Sequence, residues 1–135
     1  MTVQEKQNNF VEEMSACEEW HDKFNLLIGY FSEQTQPAPP AELIEYRIEG
    51  CFSRTYFRAF LSGGKIHTNG WSGSAVMGGI IVAISKMFHE SPASEWQDTA
   101  VDFHIRTELI KHLTPMRQAA LTEMINRIES VKHKA

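Results

Sequence analysis

Of the 135 residues, two are cysteines, and their settings differ. Cys51 stands in Ile48-Glu49-Gly50-Cys51-Phe52-Ser53-Arg54-Thr55-Tyr56-Phe57, directly after a glycine and ahead of a run that suits a β-strand. A thiol there could be a small buried hydrophobe, a metal ligand, half of a disulfide or a nucleophile. Gly50 admits backbone angles closed to other residues and lets a partner chain approach closely. A thiol just after it, at a loop-to-strand junction, can be presented at a tip. Sulfur chemistry needs the thiolate, so access and local charge decide reactivity. Arg54 is the nearest cation in sequence, but in a regular strand it points to the face opposite Cys51. Cys17 falls on the apolar face of a helix, where core packing is the favoured reading. A Cys17–Cys51 disulfide is open on sequence grounds and disfavoured in a reducing compartment.

The other chemistry-bearing residues form no local motif. The histidines are His21, His67, His89, His104, His112 and His133, with no HExxH and no CxxC among them. His67, His104 or His112 could serve as base to a cysteine nucleophile, and nothing in the spacing selects one. Gly70-Trp71-Ser72-Gly73-Ser74 fails as a nucleophile elbow, because GxSxG needs glycine where Ser74 stands. A turn followed by a helix N-cap fits it better. Arg117 falls in the first turn of the last helix, where the helix dipole disfavours a cation unless it pairs with an acid or faces an anion.

These residues must be positioned by elements that the pattern of apolar residues predicts. Phe10, Met14, Cys17, His21, Phe24, Ile28 and Phe31 step by three or four, which predicts one amphipathic helix over 8–31. The proline-rich SEQTQPAPPAE then breaks the helix and runs over the surface. Strand-forming residues occupy 44–67, with hairpin glycines at Gly63-Gly64 and a turn expected at Asn69-Gly70, so about three short antiparallel strands are expected. A buried helix follows over 74–88, with Gly78-Gly79 inside it for close packing. Ser91-Pro92 and Thr114-Pro115 each look like an N-cap with proline at the first helical position. The last helix carries Ala120, Leu121, Met124, Ile128 and Val131 as one stripe. The expected fold is α+β, a small antiparallel sheet with helices packed on one face, in a single domain over 1–135 with flexible ends at about 1–7 and 132–135.

Composition bounds the function. A hydrophobic fraction of 42% and a charged fraction of 22% suit a soluble globular chain. A net charge of −4 argues against non-specific nucleic-acid binding, which needs clustered positive charge. The longest apolar run, 75–84, is too short to span a bilayer, and the first ten residues do not read as a secretory signal. A cytoplasmic location is expected.

Taken in order, three stretches resemble the SufE-like sulfur acceptors of iron–sulfur cluster assembly. They are Trp20-His21-Asp22-Lys23-Phe24 with Leu27-Ile28-Gly29; Gly50-Cys51 entering a strand with Ser53 and Tyr56; and Leu113-Thr114-Pro115-Met116-Arg117 followed by Leu121, Met124 and Ile128. The likeness runs from about Phe10 to Ile128. It implies a fold shared with IscU-type scaffolds. It also implies a carrier, not an enzyme, that takes persulfide sulfur from a PLP-dependent cysteine desulfurase, stimulates that desulfurase and passes sulfur to an iron–sulfur scaffold protein. On this resemblance Cys51 is the persulfide acceptor, Glu49, Gly50, Phe52 and Arg117 form the thiol loop and partner environment, and no cofactor or metal is needed. A monomer or weak dimer that docks transiently is expected, with no nucleic-acid or membrane partner. The chain departs from the family pattern at Phe52, Tyr56, Trp71 and Gly73. The rival readings are an IscU-like scaffold, opposed by the shortage of thiolates for a cluster, an interaction domain with an inert cysteine, and a cysteine hydrolase.

Overall fold

The computed structural model describes residues 1–50, 53–132 and 134; Cys51, Phe52, His133 and Ala135 lie outside the described residues. A capping box opens the fold. The Thr2 hydroxyl accepts the Glu5 amide at 3.2 Å, while the Glu5 carboxylate accepts the Thr2 amide at 3.3 Å. It starts helix α1 (Val3–Ser15), where Val3 and Gln7 are fully buried. The Gln7 amide donates to the Ala100 carbonyl at 2.8 Å and accepts the Asp102 and Phe103 amides, each at 3.2 Å. Residues 3–7, expected as part of a flexible end, are thus an anchored part of α1. The sign was present in Thr2-Val3-Gln4-Glu5, a capping-box sequence.

The single helix expected over 8–31 is two helices, α1 and α2 (Trp20–Phe31). Lys23 Nζ closes the break by donating to the carbonyls of Met14, at 2.6 Å, and of Cys17. The break shifts the helical phase, so that Leu27 is buried and Ile28 is exposed. Cys17, in the break two residues beyond α1, is half-buried and absent from the core.

The strands also differ from expectation. Residues Ala41–Tyr46 form a 3-10 helix rather than a strand. The sheet has the order β1 (Thr55–Ser62), β2 (Lys65–Ser72), β3 (Ser91–Pro92), all antiparallel. The third strand therefore follows helix α3 (Ala75–Phe88); Ser91-Pro92 pairs with β2, and Pro92, not Ser91, stands at the N-cap of the short helix that begins at Ala93, without a side-chain cap. Gly63 and Gly64 make the expected hairpin, with φ of +61° and +75°. Asn69-Gly70 is strand, not turn. A Cβ at Gly70 would come within 2.8 Å of Ile81 and 2.9 Å of the Tyr56 carbonyl, so glycine is there to admit α3.

Helix α3 packs on the face of the sheet that carries Phe57 and Ile66. Its Gly78-Gly79 pair lets α2 cross closely: a Cβ at Gly79 would fall on the Leu27 carbonyl, and one at Gly78 on the Phe31 ring. On the other face Leu43, Tyr56 and Trp71 form a second buried cluster. Tyr56 and Trp71 are direct cross-strand partners, with ring centroids 6.4 Å apart. Two of the departures from the family pattern are thus each other's packing partner. The chain continues through α4 (Ala93–Trp96), α5 (Phe103–Arg106) and α6 (Pro115–Lys132), whose predicted stripe is buried throughout.

Candidate functional site

Cys51 and Phe52 lie outside the described residues, so the site is built from what flanks them. Glu49 and Gly50 form an exposed turn, and Gly50 has φ of +87°, the left-handed region that favours glycine. The segment before this turn pairs with the start of β1. The Ile48 amide donates to the Thr55 carbonyl at 2.8 Å, and Arg47 bridges Tyr56. The described residues on either side of Cys51 and Phe52 are therefore held together at Ile48 and Thr55. Arg54 lies over the Trp71 ring at 5.6 Å.

Ser53, two residues beyond Cys51, lines a cavity of about 450 Å³ with Thr55, Ser74, Met77, Thr114, Pro115, Met116 and Arg117. Its floor is a buried hydroxyl chain. Thr55 Oγ1 lies 2.9 Å from Ser72 Oγ, which accepts the Ser74 amide at 3.1 Å. Ser74 Oγ in turn caps α3 by accepting the Met77 amide at 3.3 Å. Two walls are helix N-termini, the first turns of α3 and α6, and neither first turn contains an acid. No carboxylate and no histidine lines the cavity among the described residues. Half-buried Arg117 has no hydrogen bond or ion pair to a described residue. Two positive helix ends and a guanidinium on an apolar cavity favour an anion there.

The structure therefore brings Arg117 to the same cavity as Ser53. Sequence reasoning missed Thr55, Ser74, Met77 and Met116, since only the packing of α3 and α6 on β1 assembles that wall. The candidate bases stand elsewhere. His67 contacts the Ser62 carbonyl at 3.2 Å, His104 is on α5, and His112 stacks on Trp20 at 3.7 Å. The Trp20-to-Phe24 motif has a structural role through Lys23, which closes the α1–α2 break.

One histidine grouping was not legible in the sequence. Ligand-type atoms of His67, His89 and Glu90 fall within 4.8 Å of one another. His89 Nδ1 accepts the Thr68 amide at 3.1 Å. The proton of the neutral ring then sits on Nε2, which faces Glu90 Oε1 at 3.5 Å. Both ring nitrogens are engaged, so His89 has no free lone pair for a metal. The trio reads as a cap on the edge of β2 where β3 ends.

Together these features define an α+β protein that holds the two sides of Cys51 together beside an apolar, cation-lined cavity. Comparison with known proteins places it. Residues 8–132 match the family described as SufE: Fe-S metabolism associated domain. The chain belongs to this SufE family and is thereby associated with iron–sulfur metabolism. It is 23% identical over 128 residues to an uncharacterised SufE-like protein of Rhizobium meliloti (strain 1021), covering 91% of each chain. Its fold resembles the solution structure of a hypothetical protein from Thermus thermophilus, with a TM-score of 0.73 and 17% identity over 96% of this chain and 95% of that one. No helix among the described residues is long and apolar enough to cross a membrane.

Proposed function

We propose that the protein is a sulfur acceptor: Cys51 takes persulfide sulfur from a PLP-dependent cysteine desulfurase, stimulates that enzyme and passes the sulfur to an iron–sulfur scaffold. The observation that carries this reading is the acid-free cavity shared by Ser53 and Arg117, with two helix N-termini in its wall. Such surroundings favour a thiolate or persulfide anion over a neutral thiol. The Cys51 thiolate attacks the outer sulfur of the donor persulfide. The donor's S–S bond breaks, its cysteine leaves as thiolate, and a new S–S bond leaves the persulfide on Cys51. No redox partner is consumed, because the sulfane sulfur keeps its oxidation state. The chain acts as a carrier, and the step needs no cofactor on it. Glu49, Gly50 and Phe52 belong to the loop a desulfurase would engage, and a reducing cytoplasm suits a free thiol.

Sulfide release by a cysteine desulfurase, given cysteine and a reductant, tests the reading. The wild-type protein should raise the rate. Cys51→Ser should abolish the rise, Cys17→Ser should keep it, and mass spectrometry should find added sulfur on Cys51. Undiminished stimulation by the Cys51→Ser protein would sink the proposal.

A further inference from the structure

One side chain on α6 binds both stems of the loop that carries Cys51. Arg127 Nη1 donates to the Tyr46 carbonyl at 2.8 Å and to the Phe57 carbonyl at 2.7 Å. Its Nη2 reaches the Arg47 carbonyl at 3.4 Å, and its Nε donates to Glu123 at 2.9 Å. Tyr46 and Arg47 precede Cys51, and Phe57 follows it. The guanidinium thus spans the base already closed by the Ile48–Thr55 hydrogen bond and the Arg47–Tyr56 bridge. Such a donor matters most for the Phe57 carbonyl, which lies on β1, an edge strand of the sheet. Only arginine has a rigid fork with enough donors for three carbonyls and an orienting carboxylate; lysine has three donors on one point. Glu123 occupies Nε and so fixes the plane of the fork. The same helix begins at the cavity wall with Arg117, so α6 touches both the cavity and the loop base.

We propose that Arg127, oriented by Glu123, is a positioning residue for sulfur transfer. It staples the segment before Cys51 to the strand after it, holding the Tyr46, Arg47 and Phe57 carbonyls together, and thereby fixes the two ends from which the thiol is offered. The link to transfer rests on the acceptor reading above. The staple itself does not, so the two fail separately.

The test uses the full chain with Cys17→Ser, which leaves Cys51 as its one thiol. Two quantities are read well below the melting temperature: hydrogen exchange at the Ile48 amide, and the iodoacetamide alkylation rate of Cys51. Arg127→Met should speed exchange at Ile48 by roughly tenfold, the equivalent of losing one charge-assisted hydrogen bond, and should raise the alkylation rate. Arg127→Lys should recover only part of the protection, and Glu123→Gln, a milder variant that keeps the arginine, should shift both in the same direction. Phe10→Leu, which loosens the packing of α1 on Tyr30 and Phe103, controls for general destabilisation and should move neither. If Arg127→Met behaves like Phe10→Leu, lowering the melting temperature while leaving both readouts unchanged, the staple is overturned. With a desulfurase present, Arg127→Met should raise the acceptor concentration needed for half-maximal stimulation. Altered exchange and alkylation in a protein that stimulates no desulfurase would uphold the staple and overturn the acceptor reading.

Discussion

Arg117 is held at a small energetic disadvantage, which is a reason to look for what it serves. It sits in the first turn of α6 with no acid beside it in that turn and no described partner. Replacing it with glutamate reverses the charge toward the one the helix dipole favours, so Arg117→Glu should leave stability unchanged or raise it by about 0.3–1 kcal/mol. The same change places an anion on the cavity meant for one, so desulfurase stimulation should fall by tenfold or more. Denaturant melts and sulfide-release assays on the same protein check the split. A loss of stability with full stimulation would make Arg117 structural. The residue type and its place at a helix start were legible in the sequence. That it shares a cavity with Ser53 was not, because 64 positions separate them and no local pattern joins them.

At the level of elements, the α2–α3 crossing depends on two adjacent glycines that play unequal parts. A Cβ at Gly79 meets the backbone of Leu27, which cannot move without shifting α2. One at Gly78 meets the ring of Phe31 and the Gln34 side chain, which can turn aside. Gly79→Ala should therefore cost ~3 kcal/mol or more, and Gly78→Ala about 1 kcal/mol, after the gain in helix propensity. Urea titration of the two variants gives the order, and equal costs would mean that α2 is free to slide. Close packing at these glycines was readable from their place in an apolar helix. The break between α1 and α2 was not, because Cys17 and His21 continue the apolar spacing across it; a lysine capping two carbonyls decided where the helix ended.

For the molecule as a whole, His104 links stability to pH. Burial holds its imidazole below the ordinary pKa of 6.5, while the nearby Asp102 carboxylate pulls the other way. The unfolded chain binds this proton more readily than the folded one. The stability it contributes is complete above about pH 6.5 and is lost as the pH falls through the lower, folded-state value. Melting temperature against pH should fall less steeply below pH 6.5 in His104→Gln than in the wild type, and superimposable profiles would exclude His104 as the linked group. What the sequence determined by itself was local and periodic: the α+β class, the Gly63-Gly64 hairpin, the buried α3 with its Ser74 cap, the stripe on α6 and the order of motifs along the chain. Each depends on contacts between near neighbours, which composition and spacing encode directly. The tertiary structure alone decided that the third strand comes after α3 and that residues 3–7 anchor the core through Gln7. It also decided that Tyr56 packs on Trp71, that Ser53 and Arg117 share a cavity, and that Arg127 closes the base of the Cys51 loop. Those contacts join residues distant in sequence, and their energies come from desolvation and hydrogen bonds that exist only once the elements have packed.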